Sequence, residues 1–150
     1  MAIGERLPMV DATQRARGNV PYVLNRDAPG ALVGAIARSQ RPHARIVGVD
    51  TTRARALPGV LAVVTGEDVL RAQDRLSPYF GAVERDQPVL ALDRVRYIGE
   101  PIAAVAAEDA DAAAEAASLI QATYDELEPV FEPGRAAPGA RKGPHGVPLV

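Results

Sequence analysis

Cysteine is absent from the sequence. That excludes disulfides and any iron–sulfur cluster held by thiolates, so the chain by itself has no means of moving electrons over a distance. A zinc site would have to rest on His43 and His145, about a hundred residues apart, with help from carboxylates, which makes a poor ligand set. Tryptophan is also missing and aromatics reach only 4%. Val, Ile, Leu and Ala must therefore fill the core. No run of about 18 apolar residues occurs, so no membrane-spanning helix is expected. The first residues, Met1 to Arg6, lack the basic start and apolar stretch of a secretory leader. Residence in the cytoplasm is the expectation. Nor is there a surplus of one charge. A formal net charge of −2 gives no electrostatic reason to expect nucleic acid or an anionic membrane as partner. Gly-rich phosphate loops, Walker motifs, zinc-type spacings and Ser/His/Asp arrangements are missing as well.

What is present suits one globular domain. The chain has 150 residues, of which 47% are apolar. Residues 1–20 read as an irregular polar lead-in, and Tyr22-Val23-Leu24 as a short strand. Ala31 to Ala37 and Ala44 to Val49 read as strands joined by the loop Arg38–Pro42. Asp50 or Thr51 is placed to cap a short helix through Leu57, which Pro58-Gly59 ends. Val60 to Thr65 is the next strand, and Asp68 to about Gln73 a helical turn or two. Residues 74–88 read as a long loop, with Glu84-Arg85-Asp86 a solvated charge cluster. Extended structure resumes at Val89-Leu90-Ala91 and in the alternating stretch Arg94 to Ile98. Gly99-Glu100-Pro101 is a tight break, after which Ile102 to Ala106 reads as a buried strand. Asp109 caps the clearest helix, whose Ala112, Ala113, Ala116, Leu119 and Ile120 share a face. Ala122 to Tyr124 is a last strand. Residues 132–150, rich in Pro, Gly, Ala and Arg, read as a flexible tail. Alternating strands and helices predict an α/β or α+β fold with a mixed sheet.

Several segments, in order, resemble the N-terminal a/b hammerhead domain of the xanthine dehydrogenase and aldehyde oxidase (molybdenum hydroxylase) large subunit. They are Val10-Asp11-Ala12 with Arg17-Gly18 and Tyr22; Leu32 through Arg38-Ser39, then His43-Ala44-Arg45-Ile46 and Asp50; and Leu57-Pro58-Gly59-Val60 with Val63, Thr65 and Asp68. Pro88 to Ala91, Asp93 and Val95 to Ala103 follow, and then Ala112 to Ile120, Tyr124 and Leu127. The resemblance covers about residues 3–131. It implies a hammerhead-type mixed sheet with packed helices in a single domain, 1–131. Two departures stand out. Gln40 replaces the family's usual Pro, and Arg41-Pro42 replaces an apolar–Ala pair, which reshapes the loop before His43. The family's cofactor-binding loops and catalytic Glu belong to later domains with no counterpart here. The resemblance therefore implies no cofactor or metal held by this chain, and molybdopterin only through a partner.

Candidate residues follow from chemistry and from the resemblance together. His43 has the ring for acid–base work near neutral pH, or for ordering the loop between two strands. Glu100 lies beside a rigid turn where Gly99 supplies a positive φ and Pro101 a fixed one. It is placed to pair with Arg96 or Arg38, to meet a partner, or to act as a base. Tyr22, Tyr79, Tyr97 and Tyr124 are expected half-buried with hydroxyls at the surface, and Tyr97 joins His43 and Glu100 as a catalytic candidate. Arg38, Ser39, His43, Arg96, Gly99 and Glu100 form the candidate docking or loop set.

Three functions fit. The first is a separate hammerhead chain that docks on a molybdopterin-binding large subunit of a molybdenum-dependent oxidoreductase, with scope to self-associate. The second is a metal-free enzyme or small-molecule-binding protein that reuses the fold, for example a cyclase or isomerase in a biosynthetic pathway. The third is a truncated, inactive copy. A flat apolar face favours the first, and a pocket on which His43, Glu100 or a tyrosine converges favours the second.

Overall fold

The computed structural model describes Gly4 and residues 9–23 and 28–131. The tail expected at 132–150 and Leu24 of the first expected strand lie outside the described residues. The chain divides into two compact units, Met1–Ala31 and Leu32–Val150.

In the first unit, Ala12–Ala16 forms a one-turn helix, α1, where an irregular lead-in is expected. Arg15 Nε donates to Asp11 Oδ2 at 2.6 Å, an i,i+4 pair that holds the turn. None of its residues is buried. Val23 sits in a short 3₁₀ turn, so no strand forms at Tyr22-Val23.

The second unit runs β1 (Val33–Arg38), β2 (Ala44–Asp50), α2 (Thr52–Arg55), β3 (Val60–Thr65), α3 (Gly66–Arg71), β4 (Tyr79–Phe80), β5 (Gln87–Pro88), β6 (Arg94–Val95), β7 (Pro101–Ala107), α4 (Ala110–Leu119) and β8 (Gln121–Glu126). Three sheets result, in the orders β1-β7-β3, β6-β2-β8 and β4-β5. Every described ladder is antiparallel, which corrects the expected mixed sheet. The reason lies in the connections. α2 leads from β2 in the second sheet to β3 in the first, and α4 leads from β7 in the first to β8 in the second. A helix that carries the chain between sheets does not force its flanking strands into parallel neighbours, as a crossover within one sheet does. The stretch read as one long loop, 74–88, contains the β4–β5 ladder.

The core is built from small side chains, as the scarcity of aromatics requires. Val95 is the largest fully buried one. Ala37, Ile102 and Ala103 of the first sheet meet Ala44 and Val95 of the second, with Ala91 between them. Ala116 of α4 and Ala54 of α2 pack on Val63 and Val105. Asp109 caps α4 as expected, its Oδ1 accepting from Ala112 N at 2.8 Å. The buried positions of α4 are Ala113 and Ala116, which let it lie close to the sheet.

α3 starts two residues before the expected Asp68, because Thr65 is its cap. Thr65 Oγ1 accepts from Asp68 N, and Asp68 Oδ2 accepts from Thr65 N at 2.9 Å, a reciprocal capping box. The backbone N–H of Thr65 is the main influence holding the Asp68 carboxyl below its ordinary value of 3.8. A folded value below the unfolded one means stability present above about pH 4 and lost as pH falls through the lower folded value. Thr65→Ala should cost about 1 kcal/mol in thermal melts at pH 7. The gap in melting temperature between the wild type and Asp68→Asn should be full at pH 6 and shrink below about pH 4. A gap constant down to pH 2 rules out the ionised cap.

Candidate functional site

The loop between β1 and β2 and the turn between β6 and β7 form one junction, and it gathers the docking candidates named from sequence. Ser39 is buried. Its N–H donates to Glu100 O at 2.9 Å and its carbonyl accepts from Gly99 N at 2.8 Å. Its hydroxyl accepts from Arg41 N at 3.0 Å and donates to Arg41 O at 3.2 Å. Arg38 Nη1 donates to Gly99 O at 2.9 Å. Gly99 has φ 92°, which lets the turn close with Glu100 N donating to Tyr97 O. Of this pair, Arg38 is exposed, while Ser39 is a buried clamp.

Glu100 is only 3% exposed. Of the partners weighed for it, the structure selects Arg96. Oε2 accepts from Arg96 N at 2.5 Å and Oε1 from Arg96 Nη1 at 2.7 Å. Both oxygens are engaged, and the buried charge is neutralised by a guanidinium only 23% exposed. A carboxylate so engaged ties Arg96 to the turn at Gly99. His43 is tied to the chain beyond β8. Its Nδ1 lies 2.8 Å from Glu128 O, and its own carbonyl accepts from Leu127 N at 3.0 Å. A carbonyl only accepts, so Nδ1 carries the proton, and a neutral ring keeps Nε2 as an acceptor with no partner among the described residues.

These residues border a half-open cavity of about 710 Å³. His43, Tyr97 and Glu100, the three catalytic candidates, all line it, as does Arg96. Tyr97 is 47% exposed. Arg38, Ser39 and Gly99 are not among the lining residues. The remaining lining, Pro42, Asp86 to Pro88, Ile98 and Pro129 to Phe131, is not evident from sequence. Asp86 reads there as part of a solvated cluster, and Pro129 to Phe131 as the end of the domain. The fold of β8 back along β2 brings Pro129 to Phe131 to His43. A cavity with proline, tyrosine and phenylalanine walls can seat an apolar group against one imidazole nitrogen. It contains no nucleophile paired with a free base.

Among the described residues, no three His, Cys, Asp or Glu side chains come together as a metal-ligand set. None of their buried polar side-chain atoms lacks a hydrogen-bond partner. The described residues thus offer no metal-ligand set and no unpaired buried side-chain donor of the kind that would hold a metal or molybdopterin group from within the core. No helix among them is long and apolar enough to cross a membrane.

Two three-stranded antiparallel sheets joined by short helices, with a hydrogen-bonded polar junction between their loops, define a small α/β building block. Residues 17–128 match the family described as aldehyde oxidase and xanthine dehydrogenase, a/b hammerhead domain, and the chain belongs to that family. It is 45% identical over 126 residues to a probable xanthine dehydrogenase subunit of Bacillus subtilis, covering 84% of this chain and 16% of that one. It is 35% identical over 144 residues to the nicotinate dehydrogenase large molybdopterin subunit of Eubacterium barkeri, covering 96% of this chain and 33% of that one. Among solved structures, the Cu,Mo-CO dehydrogenase superposes with a TM-score of 0.81 at 34% identity, over 89% of this chain and 16% of that one. Quinoline 2-oxidoreductase from Pseudomonas putida 86 gives 0.80 at 35% identity, over 93% and 18%. The chain therefore spans a third or less of each of these relatives. They are molybdenum hydroxylase-type enzymes, and the sequence resemblance to that family is confirmed.

Proposed function

We infer that this chain is the hammerhead unit of a molybdenum-dependent hydroxylase or dehydrogenase, and that it works by docking on a separate molybdopterin-binding subunit. That subunit holds the cofactor and the catalytic residues. One observation carries the reading: the Glu100 carboxylate, the Ser39 hydroxyl and one nitrogen of His43 are engaged within the chain. Glu100 on Arg96, Ser39 on Arg41 and His43 on Glu128 build a rigid junction. Large apolar side chains are meanwhile left at the surface, among them Leu61, Ile98 and Phe131. Relatives described as a xanthine dehydrogenase subunit and a large molybdopterin subunit support a partner of that kind.

The test is co-expression with the molybdopterin-binding chain of the same organism, followed by size exclusion. The expected result is co-elution as a complex that shows the hydroxylase activity, with the separated chains inactive. Separate elution of two folded chains over a range of concentrations overturns the reading. The same column run with this chain alone shows whether it also self-associates.

The cavity supports the second reading, a metal-free enzyme or ligand-binding protein, because His43, Tyr97 and Glu100 share its wall. If the chain works only by docking, His43→Gln should leave the turnover of the complex within about twofold. A loss of about 10²-fold or more, typical of removing a general acid or base, favours the second reading.

A further inference from the structure

The first sheet has two faces, and the described structure packs a helix on one of them. Register assigns the faces, since side chains directly opposite across a ladder lie on the same side. Ala35, Val105 and Val63 form a row on the side covered by α4. The next rows, Ile36–Ala104–Val64 and Gly34–Ala106–Ala62, lie on the other side. There Ile36 is 42% and Val64 38% exposed. These two rows contain no polar or charged side chain. A sheet with only one face against a core normally alternates apolar with polar. This sheet reads as buried on both.

The shape of the open face limits what can cover it. The middle strand contributes only alanines, while Ile36 and Val64 rise from the outer strands in the same row. The result is a shallow trough over β7, walled by Ile36 and Val64 at that row and low across all three strands at the next, Gly34–Ala106–Ala62. With strands about 4.8 Å apart, three strands match the roughly 10 Å width of a single helix. On the opposite face α4 already shows that fit, lying against β1, β3 and β7 together. A second copy of the chain is a worse occupant. Two such troughs laid face to face would meet at their ridges and leave voids over the alanines, and voids are costly. A convex row of Leu- or Phe-sized side chains fills the trough instead.

We propose that the face formed by Ile36, Val64, Ala104 and Ala106 seats one amphipathic helix of the molybdopterin-binding chain, with large apolar residues at i, i+3 or i+4, and i+7. This rests on the docking function inferred above. The relatives leave ample chain to supply that helix: the match covers 16% of the B. subtilis relative, so most of a family subunit lies outside this domain.

Absence of cysteine makes the test clean, because Val64→Cys introduces a single thiol. Labelled with a nitroxide, that thiol should be mobile in the free chain and immobilised when the molybdopterin-binding chain is added. A photo-cross-linker on it should capture partner residues spaced three or four apart. Ile36→Glu with Val64→Glu should leave the free chain folded, since both side chains already meet water. Affinity for the molybdopterin-binding chain should fall at least 100-fold, while Val83→Glu, at a position 94% exposed between β4 and β5, changes it less than threefold. Three outcomes overturn the proposal while docking itself stands: undiminished binding by the double variant, a label still mobile in the complex, or cross-links to alternate residues, the mark of a strand. Immobilisation by this chain alone at rising concentration assigns the face to a second copy and overturns it too. If the wild-type chain does not bind at all, the docking function falls with it.

Discussion

Arg96→Ala should be among the most destabilising single substitutions in this chain, at about 3 kcal/mol, because it strands a buried carboxylate. Glu100 is 3% exposed and keeps only a backbone N–H once the guanidinium is gone. Glu100→Ala should cost somewhat less, since Arg96 is 23% exposed and can turn its charge to water. Replacing both partners with apolar residues of similar size, Arg96→Met with Glu100→Leu, should recover much of the loss, because the pair offsets little more than its own desolvation. The double-mutant cycle in urea reads the coupling directly. A cycle with no coupling, or an Arg96→Ala loss under about 1 kcal/mol, would show that the pair holds nothing in place. Loss of this pair should also loosen the turn through Gly99 and with it the Ser39 clamp, so hydrogen exchange at Ser39 N and Gly99 N should rise in step.

Gly66→Ala should be comparably severe, at about 3 kcal/mol and on the order of 10 °C in melting temperature. Gly66 is buried at the start of α3, and a methyl group there would run into the carbonyl of Ala91. The obstacle is backbone rather than a flexible side chain. It also belongs to the segment in which Ala91 N donates to Pro101 O at 2.7 Å, at the start of β7. Relief therefore requires moving the central strand of the first sheet or the start of α3. Gly48→Ala is the matched control. Nothing lies within 4 Å of its missing methyl, and its φ is not positive. That substitution should be neutral or stabilising by about 0.5 kcal/mol. Equal melting temperatures for the two variants would show that the Gly66–Ala91 contact does not constrain the fold.

Much of the secondary structure is legible without coordinates where local signals are strong. Val60–Thr65 forms the strand its β-branched run predicts, and Asp109 caps α4 through the expected oxygen. Errors arise where partners are remote. β4 and β5 are two residues each, too short for a periodic pattern, and exist only because they pair with one another. Thr65 and Asp68 both carry capping oxygens, so the start of α3 is ambiguous locally, and the reciprocal bonds decide it. The antiparallel sheets are not legible at all, because local alternation of strands and helices does not say which sheet each strand joins.

The candidate site divides the same way. Sequence by itself determines the family, through colinear segments such as Val95 to Ala103, and excludes thiolate chemistry through the absence of cysteine. It also singles out Arg38, Ser39, His43, Arg96, Gly99 and Glu100. Only the tertiary structure decides their partners. Arg96 rather than Arg38 neutralises Glu100, since Arg38 is drawn to the carbonyl of Gly99. His43 meets Glu128, 85 residues away, because β8 folds back along β2. The open face of the first sheet is likewise a product of register. Ile36, Ala104 and Val64 are scattered in sequence and become neighbours only when β1 and β3 flank β7. Residue types set which contacts are possible, whereas long-range pairing, which local propensity does not encode, settles which of them form.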